Sequence, residues 1–143
     1  MTETANITLG AERLLVELGY APVREVVLKN NRRVDILGLN KRGGLVVVEV
    51  KSGLSDFRSD TKWQEYLDYC EEFYFAVDQH FPIGVFNEST SLPDITGIII
   101  ADAYGGEVLR EAASRKVNAA RAKKLIQQMA RTAAMRLFEK AVG

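Results

Sequence analysis

Apolar positions along this chain recur with two spacings, about 3.6 and about two residues, and the points where the spacing changes mark its elements. Residues 9–18 place Leu14, Leu15 and Leu18 on one helical stripe that ends at Gly19. Residues 23–29, 34–39 and 45–51 then read as strands. The turn signals Asn30-Asn31 and Asn40-Lys41-Arg42-Gly43-Gly44 separate them, which predicts a three-stranded meander. Helical spacing returns over 60–73 through Trp63, Tyr66, Leu67, Cys70 and Phe73, with Asp60 as the cap. Residues 73–77 read as a core strand, and 78–94, with Pro82 and Pro93, as irregular. The strands 96–101 and 107–110 flank Tyr104-Gly105-Gly106, a second hairpin, and 114–142 form one long helical pattern. This order fits one mixed α/β domain over residues 1–143.

One strand breaks its own pattern. Residues 45–50 read LVVVEV, apolar on both faces as in a strand buried in the middle of a sheet, yet Glu49 and then Lys51 interrupt it. Buried charges must be paired, hydrated in a cleft or bound to a metal. Alternation puts Glu49 and Lys51 on one face. A three-residue loop closing Asn40 on Gly44 pairs Leu39 with Leu45 and Leu37 with Val47, and the same register sets Asp35 opposite Glu49. Carboxylates opposed in this way, with Cβ atoms about 5 Å apart, suit one divalent cation. The competing reading is a structural charge cluster in which Lys51 neutralises both acids.

The arrangement Asp, thirteen residues, then Glu-x-Lys resembles the PD-(D/E)xK nuclease superfamily. Within it the chain is similar to the MmcB-like group of bacterial DNA repair proteins. Three blocks carry that likeness: Arg32-Arg33-Val34-Asp35, Val48-Glu49-Val50-Lys51-Ser52, and the run from Asp56-Phe57-Arg58 through Trp63-Gln64-Glu65-Tyr66 to Asp68-Tyr69-Cys70 and Phe73-Tyr74-Phe75-Ala76-Val77. Gly97-Ile98-Ile99-Ile100-Ala101-Asp102 extends it. The resemblance implies a restriction-endonuclease-like mixed β-sheet flanked by helices and a Mg²⁺-dependent (or Mn²⁺-dependent) DNA endonuclease. Asp35, Glu49 and the Val50 carbonyl would hold the metal, and Lys51 would orient water or stabilise developing charge. Gln64 matches the polar residue that steadies such a site, although Asp68 stands where the RecB-type pattern has Tyr. Glu12 and Glu25 are candidates for a further acid. The length of the Asn30-Asn31 loop decides which face Glu25 takes. Arg33, Ser52, Arg58 and Lys62, at or just after the acidic strands, are expected to meet substrate phosphates. The rival reading keeps the fold and DNA binding but not the chemistry, as an adaptor that brings repair proteins to lesions.

Composition changes little of this. No run is long and apolar enough for a membrane span and no export signal opens the chain, so a bacterial cytoplasmic, nucleoid-associated location is expected. Cys70 is the only cysteine, which rules out an internal disulfide, and it reads as buried filler. His80 lacks a ligand-spaced partner. Trp63, Tyr66 and Tyr69 read as helix core. Charge, however, is unevenly spread. From residue 114 onward eight basic residues face the single acid Glu139, a net +7 in a chain whose total is zero. Val117, Leu125, Met129, Met135 and Phe138 would dock this basic helix, leaving Arg121, Lys124 and Arg131 to face DNA. Its alanine-rich turns also permit close packing in a homodimer.

Overall fold

Helix α1 (Glu3–Glu17) starts well before residue 9 because Thr2 caps it, its hydroxyl accepting from the Ala5 N–H at 3.1 Å. Its buried stripe is Ile7, Ala11, Leu14 and Leu15, whereas Leu18 lies past the last turn and is 51% exposed. Gly19, at φ +94°, turns the chain into the sheet. The helix backbone presses against the sheet edge so closely that a Cβ on Gly10 would sit 1.8 Å from the Asp102 carbonyl oxygen. The computed structural model describes residues 2–143.

Six strands follow in spatial order, β1 (Tyr20–Val27), β2 (Arg33–Asn40), β3 (Leu45–Val50), β4 (Glu72–Val77), β5 (Gly97–Asp102) and β6 (Gly105–Arg110). The first three form the expected antiparallel meander, with Leu39 opposite Leu45 and Leu37 opposite Val47. Asn40 closes the loop through its N–H to the Gly44 carbonyl at 2.9 Å, and Gly43 takes φ +86°. β4 and β5 then join in parallel and β6 returns antiparallel. β3 is buried along its whole length because both faces are covered. α1 packs on Ile36, Val46, Val48, Val50 and Ala76. The opposite face holds an aromatic core in which Phe75 meets Phe57, Trp63 and Phe86 at 5.3, 4.9 and 5.1 Å between ring centroids.

Two sequence expectations fail for identifiable reasons. Residues 60–73, expected as one helix, hold a 3₁₀ helix (Trp63–Tyr69) and the start of β4, and a short helix α2 (Leu54–Ser59) precedes them. Asp60 does not cap a helix with its full carboxylate, since one oxygen is taken by Lys51, and Phe73 joins the sheet beside Val47. Trp63 and Tyr66, three residues apart, both stay buried on a 3₁₀ turn. The C-terminal helix α3 (Ala119–Val142) begins later than 114 because Asn118 caps it, accepting from the Arg121 N–H at 3.0 Å. Before it, Ala113 donates to Ile95 at 3.0 Å and Arg115 to Glu71 at 2.9 Å, bonds that replace helical ones. Leu125 and Met129 alone are buried on α3, while Met135 and Phe138, expected to dock, are 46% and 58% exposed. α3 lies along the free edge of β1, where Gln128 donates to the Val27 carbonyl and Arg136 to those of Arg24 and Glu25.

Candidate active site at a fork between two strands

The β2–β3 ladder stops at Ile36 opposite Val48. One position further on, side chains replace the backbone partners: the Asp35 N–H donates to Glu49 Oε1 at 3.1 Å, and the Val50 N–H donates to Asp35 Oδ2 at 2.8 Å. Each carboxylate therefore wedges into the opposite strand and satisfies an amide that pairing would otherwise use. β3 meanwhile stays with β4, the Lys51 N–H donating to the Ala76 carbonyl at 3.0 Å. The two strands part like a fork, and the acids sit in its angle.

The side-chain alternation slips at the same place. Val34 belongs to the aromatic core with Leu37, while Ile36 faces α1. Across the pair, Glu25 takes φ +53°, and the ladder skips it between Arg24–Ile36 and Val26–Val34. The Leu28 N–H to Arg32 carbonyl bond closes a loop of Lys29, Asn30 and Asn31, a length that puts Glu25 level with Asp35. A cavity of about 280 Å³ opens there, lined by Thr4 and Thr8 of α1 with Glu25, Asp35 and Val50.

Glu49 is 4% and Lys51 5% exposed, with Asp35 half-buried. Burial, and then the Asp35 charge, push the Glu49 carboxyl up to about 9, and burial likewise raises Asp35. Neither acid has an ion-pair partner among the described residues. Lys51, expected to sit with them, instead places its Nζ 2.6 Å from Asp60 Oδ2. Burial works to raise Asp60, but the Lys51 hydrogen bond and the Lys62 N–H outweigh it and hold the carboxyl below its usual range. Tyr66 closes the site from the 3₁₀ helix. Its hydroxyl donates to the Arg33 carbonyl at 3.2 Å, and burial with the Glu49 charge raises its pKa.

A buried and a half-buried carboxyl without an ion-pair partner are a donor set for a hard divalent ion such as Mg²⁺ or Mn²⁺. No three His, Cys, Asp or Glu side chains among the described residues gather into a metal-holding group. A cation at the fork would thus take its other ligands from the Val50 carbonyl, water and substrate, as Mg²⁺ commonly does.

A family model described as DNA repair protein MmcB-like matches residues 1–142. The chain belongs to the MmcB-like family. A solved structure of a protein of unknown function from Silicibacter pomeroyi is 39% identical, covers 96% of this chain and 90% of its own, and superposes with a TM-score of 0.87. A repair endonuclease from Pyrococcus abyssi is 24% identical over 46% of this chain and 33% of its own, with a TM-score of 0.32, too slight a likeness to bear on fold or function. No curated protein matches the chain.

The remaining candidates in this MmcB-like chain are scattered by the fold. Gln64 is exposed on the 3₁₀ helix. Arg58 is held bidentately by Glu88 at 2.7 and 3.0 Å, and Arg33 faces Glu25 at 3.8 Å. The Ser52 N–H is taken by Asp56 at 3.1 Å, while Lys62 is exposed with no ion-pair partner among the described residues. Glu12, a candidate for the further acid, is instead ion-paired with Arg24. Arg121, Lys124 and Arg131 are exposed on α3. Sequence reasoning missed Asp60 as the partner of Lys51 and Tyr66 as the polar tip beside the acids. The only available signal for Asp60 was its position nine residues after Lys51, a span that α2 folds back on itself. No helix of the described residues is long and apolar enough to cross a membrane.

Proposed function

We propose that this MmcB-like protein is a Mg²⁺- or Mn²⁺-dependent endonuclease that hydrolyses DNA phosphodiester bonds during repair. The observation that carries this reading is the pair of acids without an ion-pair partner, Asp35 and Glu49, each fixed by the other's strand, with Asp35 at the rim of a cavity. In a structural charge cluster Lys51 would neutralise them, and its ammonium is bound to Asp60 instead. A divalent ion bound there would neutralise charge on the phosphate and acidify a water. Asp35 and Glu49, with the Val50 carbonyl, would hold it. Each acid spends one oxygen on a backbone amide, so its other oxygen is oriented without further ordering. Lys51, anchored by Asp60, would supply an ammonium with remaining donors for a water or a phosphate oxygen. Tyr66 and the aromatic core behind it exclude solvent from the back of the fork.

The engagement of Lys51 by Asp60, together with the missing third acid, favours one rival, a DNA-binding adaptor in repair that keeps the fold without turnover. Nicking of supercoiled plasmid in Mg²⁺ or Mn²⁺ separates the two. The endonuclease reading expects wild type to nick and Asp35→Asn and Lys51→Ala to lose at least about 100-fold in rate, the scale of removing one charge-stabilising group. Binding without nicking by wild type would establish the adaptor.

A further inference from the structure

Besides Lys51, which is bound to Asp60, four cations are ion-paired among the described residues, and three of the unpaired ones converge on one hollow. Arg24, Arg32, Arg33 and Arg58 each face a carboxylate, from Glu12, Glu65, Glu25 and Glu88 respectively. Lys29, Arg121 and Lys124 face none among the described residues, and these three line one concavity of about 270 Å³ together with Tyr69, Asn118 and Gln128. They come from separate elements: the turn after β1, the end of the 3₁₀ helix and the first turns of α3. Burial of Leu125 and Met129 fixes the rotation of α3, and the Gln128 bond to the Val27 carbonyl fixes its height along β1. Positions 121, 124 and 128 then share one stripe turned towards Lys29. The Arg121 guanidinium lies over the Tyr69 ring, 5.2 Å from its centroid, which orients its planar fork before any ligand arrives.

We propose that this concavity is a phosphate subsite for a nucleic-acid strand, with Lys29, Arg121 and Lys124 as the phosphate ligands and the Tyr69 ring as a wall for the adjoining sugar or base. The proposal rests on the DNA reading above and adds a second point of grip. Uncompensated cations converging on a hollow select a compact anion, and a guanidinium fork matches phosphate oxygens. Aromatic walls beside such cations accept nucleotides of any sequence. The subsite lies on the aromatic-core side of the sheet, and the 3₁₀ helix connects it to the fork. Tyr66 contacts the Arg33 carbonyl beside the acids, and Tyr69 follows it by one 3₁₀ turn, a rise of about 6 Å. A strand held here would be gripped away from its scissile bond, so the subsite would favour substrates continuous across both points.

The test is fluorescence anisotropy of labelled single- and double-stranded oligonucleotides over a salt series, in EDTA so that no cleavage intervenes. Wild type is compared with Arg121→Ala/Lys124→Ala and with the control pair Lys116→Ala/Lys123→Ala. All four side chains are exposed, and circular dichroism and Tm check that each variant is folded. The pocket variant is expected to bind about tenfold or more weakly, with a salt slope flatter by about 0.7 to 0.9 for each lost contact, while the control keeps the wild-type slope. In competition, a preference for 5′-phosphorylated ends that the pocket variant loses assigns the group to a strand end. Equal loss on both kinds of end assigns it to the backbone, and both results support the subsite. Pocket and control variants weakened alike would overturn it in favour of diffuse attraction. Wild-type affinity in the pocket variant would overturn it while leaving the DNA reading intact, and failure of wild type to bind any nucleic acid would remove both.

Discussion

At the scale of single residues, the fork holds a carboxyl whose burial, and then the Asp35 charge beside it, make the fold titrate. The folded Glu49 carboxyl is raised from 4.5 to about 9, so the native state holds a proton more tightly than the unfolded chain does. By linkage, stability is greatest below the unfolded value and declines as pH rises towards about 9. In the absence of metal, Tm is therefore expected to fall between pH 5 and pH 9, those bounds being about the two ends of that titration. Glu49→Gln should flatten the fall and melt higher than wild type at the alkaline end by about 2 to 5 °C, the response to ~1 kcal/mol. Differential scanning calorimetry across that range checks it, and a Glu49→Gln profile that tracks wild type would remove the Glu49 titration from the account. Lys51→Ala acts differently, because it takes a charge-assisted bond from half-buried Asp60, and should cost about 1.5 to 3 kcal/mol in urea unfolding. Glu49 and Lys51 were legible in the sequence because they interrupt a run apolar on both faces, and Asp35 because the hairpin register sets it opposite Glu49. Asp60 was not, because its role arises from the path of α2.

Elements position these residues, and α2 is the most exposed to a single change. Its one buried side chain, Phe57, meets Phe75, Phe81 and Phe86 edge-on at 5.3, 6.3 and 5.2 Å. Phe57→Ala should cost about 3 to 5 kcal/mol and free the turn that brings Asp60 to Lys51. Urea unfolding gives the first figure, and faster hydrogen exchange at Lys62, whose N–H donates to Asp60 at 2.9 Å, reports the second. On the other side, Arg136 donates to the Arg24 and Glu25 carbonyls on the β1 edge, next to the left-handed Glu25. Arg136→Ala should speed exchange of amides around the kink in β1 with little change in the far end of the sheet. Uniform protection there would show that α3 does not brace the kink. The meander and its register could be read because turn residues and strand periods agree. The 3₁₀ segment could not, since Trp63, Tyr66 and Phe73 satisfy a helical spacing as well as a turn followed by a strand. The start of α3 escaped for a similar reason: residues 114–118 carry helix-compatible side chains, and only the backbone bonds of Ala113 and Arg115 to neighbouring segments exclude them.

Over the whole molecule, zero net charge conceals a basic C-terminal segment on an acidic body, and the fold spreads that segment along the β1 edge beside the fork. Two arginines picked out in the sequence, Arg33 and Arg58, face neighbouring acids, while Arg121, Lys124 and Arg131 on α3 have no ion-pair partner among the described residues, which shifts the proposed DNA contact from the α2 region towards α3. Membership in the MmcB-like family of DNA repair proteins fits that arrangement. On the proposed reading, Asp35 and Glu49 lack a protein cation because a divalent metal would take that place. Calorimetric titration of Mn²⁺ into wild type and Glu49→Gln, with folding verified for both, tests it most directly. The account expects saturable binding to wild type that Glu49→Gln abolishes. No binding to wild type, or equal binding to both, would contradict it.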